Sequence, residues 1–367
     1  MSGHDVVVVG GGVIGLAIAW KAMSRGLSVA LIDEQAEPNA SGIAAGMLAP
    51  AAEVAYGEEG LLELGLAAAE RYPDFIAEIE EFSGLDAGYR RNGTLVVARH
   101  LDDMAELDDL LSFQQRLGLS SSKLRGRQAR SLEPALISSA RGALLVEGDH
   151  SVDSRALLEA LAQACQKTGL CRWNESVTEI APGSVRTSSG DLVHGEAVVL
   201  AAGARSGSIP GVPDEVSSSV RPVKGQLLHL SGPSEPALLS MTVRGMDVYL
   251  VPRRDGRLIV GATVEEAGFD TRVTAGGVFE LLRSAYELVP GITELELTES
   301  LAGLRPGSVD NAPLIGDTSV AGLYAATGHY RNGILLASVT ADALVERLVT
   351  GVTPALIEPF SPLRFAA

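Results

Sequence analysis

Residues 5–15 read Asp-Val-Val-Val-Val-Gly-Gly-Gly-Val-Ile-Gly, and no other stretch limits the possible folds of this chain so tightly. Four consecutive valines are β-branched and apolar, which suits a strand buried on both faces of a parallel sheet. That strand runs into Gly10-x-Gly12-x-x-Gly15, and Leu16 to Ala22 then reads as a helix. Each glycine has a mechanical reason: one makes the tight turn, one lets a pyrophosphate approach the backbone, and one lets helix and strand pack closely. The helix N-terminus offers free N–H groups and partial positive charge to the phosphates. A second strand, Ser28 to Ile32, ends in Asp33, where an acidic side chain grips the adenosine ribose hydroxyls. In this strand–turn–helix context the motif predicts an α/β dinucleotide-binding fold. It leaves the identity of the dinucleotide open, NAD and FAD alike.

Composition narrows the field. At 367 residues and 46% hydrophobic, the chain is long enough for a large core and two domains. A net charge of −17 argues against nucleic acid and anionic membrane as partners. The positive charge is nearly all arginine; the lysines are Lys21, Lys123, Lys167 and Lys224. Cys165 and Cys171 carry no metal-ligand spacing, so a reduced, cytoplasmic protein is expected. Glycines interrupt the first apolar run, which is therefore neither signal peptide nor membrane span. No metal is implied, and no Ser/His/Asp triad, HExxH or P-loop occurs.

Along the chain, a polar loop spans Glu34 to Asn39. Ala40 to Pro50 is then dense in small residues, which suits either a backbone lying against something flat or ordinary helix–sheet packing. Glu58 to Phe82 carries apolar residues at helical spacing, with a bend expected at Pro73. Tyr89 to Ala98 reads as strand or hairpin, Leu101 to Leu117 as a helix, and Gly142 to Val146 as a strand. Asp153-Ser154 caps a helix over Arg155 to Thr168. After short strands at Ser176 to Ile180 and Val185 to Ser188, Glu196 to Ala204 reads as a second buried strand returning to the first sheet. This makes the nucleotide domain discontinuous. From Val220 the pattern turns antiparallel, with strands at Gln226 to Leu230, Asp247 to Pro252, Leu258 to Gly261 and Leu295 to Ala302, and a helix at Ala275 to Leu288. A strand at Leu323 to Ala326, a loop to Gly333 and a helix from Ile334 to Val349 complete the chain.

Three places carry candidate chemistry. Tyr249 alternates with Val248 and Leu250, so it faces either a cavity or a core partner for its hydroxyl. Arg305 follows a strand between leucine and proline. It seeks a planar anion, with Asp310 a structural acid as the other possible partner. Gly328-His329-Tyr330-Arg331-Asn332-Gly333-Ile334 is a polar loop running into an apolar helix, whose N-terminus would stabilise negative charge on a bound ring unless it is simply a capped surface helix.

Together these stretches resemble the FAD-dependent amino-acid oxidases related to D-amino-acid oxidase, and among them most closely the glycine oxidases of the thiamin-pathway type. The resemblance rests on residues 9–15, Ala-Ala-Gly-Met-Leu (44–48), Pro-Val-Lys-Gly-Gln (222–226), Tyr-Leu-Val-Pro-Arg (249–253), Gly-Arg-Leu-Ile-Val-Gly-Ala-Thr (256–263), Ala-Gly-Leu-Arg-Pro-Gly (302–307) and Gly-His-Tyr-Arg-Asn-Gly-Ile-Leu-Leu-Ala (328–337). These occur in order from end to end, and the last two are the most specific. The resemblance implies a Rossmann-like FAD-binding domain (1–84, 147–219 and 306–367) and a substrate domain on a mixed or antiparallel sheet (85–146 and 220–305).

It further implies non-covalent FAD. The phosphates would lie on Gly10, Gly12, Val13, Ile14 and Gly15, the ribose on Asp33 beside Glu34, and the adenine side on Val177. Ala40, Ser41, Ala45, Gly46, Met47, Ala202 and Gly203 would line the cofactor. His329, Tyr330, Arg331, Asn332, Gly333, Ile334 and Leu335 would wrap the isoalloxazine. Arg305 and Arg331 would bind a substrate carboxylate, with Tyr249 closing the site. The implied reaction is hydride transfer from the Cα of glycine or a related amine to flavin N5. It would yield an α-keto acid such as glyoxylate, ammonia and, with oxygen, hydrogen peroxide. Val264 stands where glycine oxidases have methionine and Asp247 where they have histidine. Oxidation or dehydrogenation of sarcosine, other N-alkyl amino acids or D-amino acids is therefore the alternative. A homo-oligomer is also implied.

Overall fold

A computed structural model describes residues 3–35 and 39–366, so the middle of the loop expected over Glu34 to Asn39 lies outside the described residues. The four valines form the strand His4–Val9, with Val6 to Val9 no more than 2% exposed. Strands Leu323–Thr327, Leu192–Leu200, His4–Val9, Val29–Ile32 and Cys171–Trp173 lie side by side in that order, all parallel. Leu314–Asp317 adds an antiparallel edge. The distant return of the chain is thus real, with Val7 opposite Val198 on one side and Ala30 on the other. The returning strand ends at Leu200 rather than Ala204. The small residues after it therefore turn away at the carboxyl edge of the parallel strands, where open α/β sheets bind ligands.

Helix Val13–Ser24 is buried almost all round, wedged among the sheet and helices Ser154–Lys167 and Gly333–Thr350. Glu59–Ser83 continues through Pro73 as one 25-residue helix, closed by Gly84 in the left-handed conformation that a C-terminal cap needs. Its fully buried Tyr72 donates to the Ile334 carbonyl oxygen at 3.1 Å, which fixes the start of helix Gly333–Thr350.

The second sheet takes its strands from 94–146 and 220–308. Their order is Glu296–Ser308, Val220–Ser231, Arg257–Gly261, Tyr249–Pro252, Thr242–Arg244, Thr94–Ala98, Gly142–Val146 and Ser122–Arg125. All neighbours are antiparallel except Thr242–Arg244 with Thr94–Ala98. The mixed sheet matches expectation, but Ser122–Arg125 gave no sequence signal. It is a polar edge strand held by backbone pairing to Gly142–Val146 rather than by an apolar face.

The two sheets are tied by arginines. Asp153 caps helix Ser154–Lys167 through the N–H groups of Arg155 and Ala156, at 3.1 and 3.3 Å. It also accepts from Arg257 Nη2 at 2.5 Å. Arg155 makes a two-pronged pair with Glu299 at 2.8 and 2.9 Å. Arg253, 5% exposed, donates to the Ala45 carbonyl oxygen at 2.7 Å. No described helix is long and apolar enough to cross a membrane.

Candidate active site

Between the sheets runs a cleft of about 940 Å³, from Asp33 at one end to the Arg305 strand at the other. At the first end Gly10 adopts φ 107, and a Cβ there would lie 2.4 Å from the Ala201 carbonyl oxygen. Gly11, which the motif reading passed over, is restricted by a side chain instead: a Cβ would lie 2.6 Å from Asp33 Oδ2. Gly10, Gly12, Val13 and Ile14 line the cleft, with Asp33, Glu34 and Val177 beyond them. Asp33 also receives Arg172 Nη2 at 3.3 Å. Gly15 does not reach the cleft. It is buried beneath the loop, where a Cβ would sit 1.9 Å from the Gly10 carbonyl oxygen, so its role is close helix–strand packing.

The small-residue stretch forms the wall. Ala40, Ser41, Ala45, Gly46 and Met47 line the cleft, and the Ser41 hydroxyl accepts from Val13 N–H at 3.0 Å, joining this wall to the glycine loop. Gly46 has φ 70, and a Cβ would lie 1.9 Å from the Val152 carbonyl oxygen. Ala202 and Gly203 line the opposite side.

Across the cleft the residues from His329 to Leu335 divide. His329, Tyr330, Arg331, Gly333 and Ile334 line it. Asn332 and Leu335 do not; they turn toward a smaller groove against Pro50, Leu61 and Gly65, because successive helical residues point about 100° apart. Tyr330 holds φ 49, a backbone conformation seldom kept by non-glycine residues without a surrounding that enforces it. The 18-residue helix Gly333–Thr350 has no side-chain cap and no acid in its first turn, so its positive end faces the cleft. His329 is buried, bonded to the Thr340 hydroxyl at 3.1 Å, and burial pushes its pKa down to about 3, so the imidazole is neutral.

Register in the second sheet assembles the far end. Gly261 lies opposite Tyr249 on one neighbour and Leu227 on the other, while Gly225 lies opposite Gly303 and Val223 opposite Arg305. Tyr249 and Arg305 thus project from the same face as these glycines, since directly opposed residues share a face. Cβ atoms at Gly261 and Gly225 would lie 2.5 Å from the Tyr249 ring and 2.2 Å from Arg305 Nη1. The two side chains lie flat over a floor of glycines. Arg305 sits within the strand Glu296–Ser308, not after it. Its Nη1 donates to the carbonyl oxygens of Thr263 (3.1 Å) and Lys224 (3.5 Å). Asp310 pairs instead with Arg364 at 2.9 and 3.0 Å, so Arg305 has no acid partner among the described residues. Burial raises the Tyr249 hydroxyl pKa, the Arg305 charge opposes the rise and the Glu53 carboxylate adds to it.

Arg331 departs from its expected part. It lines the cleft, but its guanidinium pairs with Glu58 and donates to the Glu53 carbonyl oxygen at 3.4 Å. Asp247 and Val264 stand exposed at the mouth. Neither cysteine lines the cleft. Cys165 is buried in helix Ser154–Lys167 with its thiol pushed up to about 12, and Cys171 lies free and exposed. Sequence reasoning missed Glu53 and Arg244, which also line the cavity; only contacts between distant segments bring them there.

A long cleft with a glycine loop, an acid at one end and an uncapped helix at the other fits an extended flavin dinucleotide. The comparisons agree. The family model for FAD dependent oxidoreductases matches residues 5–347, and the chain belongs to that family of enzymes. Glycine oxidase of Geobacillus kaustophilus is 34% identical, over 98% of this chain and 97% of that protein. Its crystal structure superposes with a TM-score of 0.91 over 99% of both chains. A putative thiamine biosynthesis oxidoreductase ThiO of Rhizobium etli is 32% identical over 94% of this chain and 96% of its own length. The bifunctional protein ThiO/ThiG of Synechocystis is 35% identical over 98% of this chain, which spans 54% of that longer protein.

Proposed function

We propose that this enzyme oxidises glycine and related small amino acids or amines, releasing an α-keto acid such as glyoxylate, ammonia and hydrogen peroxide. The observation that carries the reading is Arg305, a guanidinium with no acid partner beside Tyr249, in a cleft also lined by the N-terminal residues of helix Gly333–Thr350. A planar fork of donors suits a substrate carboxylate. The glycine floor lets that fork and the Tyr249 hydroxyl lie close to the sheet, leaving room above them for Cα. Bound FAD supplies the acceptor for two electrons, which molecular oxygen later removes as peroxide. The helix N-terminus stabilises negative charge that develops on the cofactor ring, and neutral His329 places no competing cation there. Orientation carries most of the remaining difficulty.

We also propose that FAD is held non-covalently, a reading supported by the position of both cysteines away from the cleft. Likeness to the Rhizobium etli protein and to the ThiO/ThiG protein supports a place in thiamin-precursor synthesis, and we further propose assembly into a homo-oligomer.

Peroxide release with glycine, sarcosine and D-alanine in parallel tests the reading and ranks the substrates. Silence toward all three in yellow, FAD-loaded protein overturns it. Arg305→Ala should raise KM for the best substrate roughly 100-fold, as expected for lost charge-assisted bonds, while FAD stays bound. Unchanged kinetics would remove Arg305 from this role.

A further inference from the structure

The turn Ala51-Ala52-Glu53 is clamped more heavily than its sequence accounts for. Asp149, 1% exposed, accepts from the N–H groups of Ala51 and Ala52 at 3.4 and 3.1 Å. Gln114, fully buried, donates to the Ala51 carbonyl oxygen at 2.9 Å. Arg244 reaches from the second sheet to the Ala52 carbonyl oxygen at 2.6 Å. Arg331 donates to the Glu53 carbonyl oxygen at 3.4 Å, and Glu53 N–H to that of Ala49 at 3.1 Å. Four side chains from four separate segments therefore fix three residues, two of which are alanines.

The remaining one, Glu53, lines the cleft with Tyr249 and Arg305, and its carboxylate has no ion pair or side-chain hydrogen bond among the described residues. Its charge is felt at the Tyr249 hydroxyl. Half-buried, immobilised through its backbone and unpartnered by protein, this carboxylate is free to accept from a bound ligand in the cleft.

Resting on the functional reading above, we propose that Glu53 holds the amino group of the substrate, opposite the carboxylate held by Arg305 and Tyr249. An amine carries only N–H donors toward a carboxylate, which is acceptor-only when ionised, so the match is complementary. Anchoring the carboxylate alone leaves Cα free to turn about the bond to it. A second contact at nitrogen selects which Cα–H points toward the cofactor, and an orienting contact of this kind acts on kcat as well as KM. Arg331 and Arg244 become positioning residues: they act on the substrate through the turn that carries Glu53.

Glu53→Ala and Glu53→Gln, purified with FAD, separate this from a general structural role. Two readouts are needed: steady-state oxidation of glycine, and the change in flavin absorbance on titration with acetate, which has the carboxylate but no amine. The proposal expects kcat/KM for glycine to fall at least 30-fold in Glu53→Ala, with part of the loss in kcat. Glu53→Gln, which keeps one acceptor oxygen, should fall between it and wild type. The acetate dissociation constant should stay within twofold of wild type in both. Unchanged glycine kinetics would overturn the proposal, as would acetate binding weakened as much as glycine turnover. Failure of the wild-type enzyme to oxidise any amine would instead bring down the functional reading, and that failure shows before any variant is made.

Discussion

Glycines do the same mechanical work at both ends of the cleft, yet they are assembled in opposite ways. At the glycine-loop end, Gly10, Gly11 and Gly12 are contiguous within one strand–turn–helix unit, and they make room for the Ala201 backbone and the Asp33 and Ser41 side chains. At the substrate end, Gly225 and Gly261 lie on separate strands, Val220–Ser231 and Arg257–Gly261, and come together only through sheet register. In the first set Gly10 faces unyielding backbone, while Gly11 and Gly12 face the Asp33 and Ser41 side chains that line the cleft. The second clears space for the protein's own Tyr249 and Arg305. A loop of this kind recurs wherever dinucleotides bind, whereas a floor specific to two side chains belongs to one chemistry.

The comparison breaks most sharply at Gly15. In Gly15→Val a side chain must enter where the Gly10 carbonyl oxygen lies 1.9 Å away, and backbone has to move. The expected outcome is insoluble or colourless protein, read from the visible spectrum after purification; a yellow, active Gly15→Val enzyme would show that the two ends tolerate crowding alike.

Gly261→Ala and Gly225→Ala should behave differently, because the atoms they crowd are the ends of side chains that can swing aside. FAD content should remain near wild type while kcat/KM for glycine falls on the order of 100-fold through displaced orientation. Loss of FAD in either variant would mean the substrate-end floor also supports the cofactor.

The smallest effect concerns His329, in the turn that joins the ends. Its pKa is about 3 in the native state and about 6.5 when unfolded. Between those values the unfolded chain binds a proton that the native state refuses, so stability rises with pH. It is lost on acidification from about 6.5 downward, by at most about 1.4 kcal/mol per pH unit. Urea midpoints at pH 7.5 and 5 should differ in wild type, and the difference should shrink in His329→Gln. An equal difference in both would place the pH dependence elsewhere.

The same contrast explains what could be read in advance. Val6 to Val9, the glycine loop, Asp33 and the capped helix after Asp153 were legible because each is a local pattern whose physics acts within a few residues. From local pattern alone Arg305 and Tyr249 were legible only as residues that need a partner; it was the family resemblance that put them in one site. Asp310, a plausible acid for Arg305 five residues away, is taken by Arg364 from the chain's end. Arg331 lines the cleft as expected but pairs with Glu58, from a segment some 270 residues earlier that no local pattern links to it. Asn332 and Leu335 line the smaller groove instead, because a polar loop entering a helix does not reveal which residues the helix turns away from the cleft.

By itself, then, the amino-acid sequence determined a dinucleotide-binding fold and offered Arg305 as an arginine in need of a planar anion. Strand propensity, glycine geometry and helix polarity are all settled by neighbours along the chain. Only the tertiary structure decided that Tyr249 and Arg305 share a glycine floor and that Glu53 stands unpaired in the cleft with them. Sheet register and long-range clamps depend on residues tens to hundreds of positions apart.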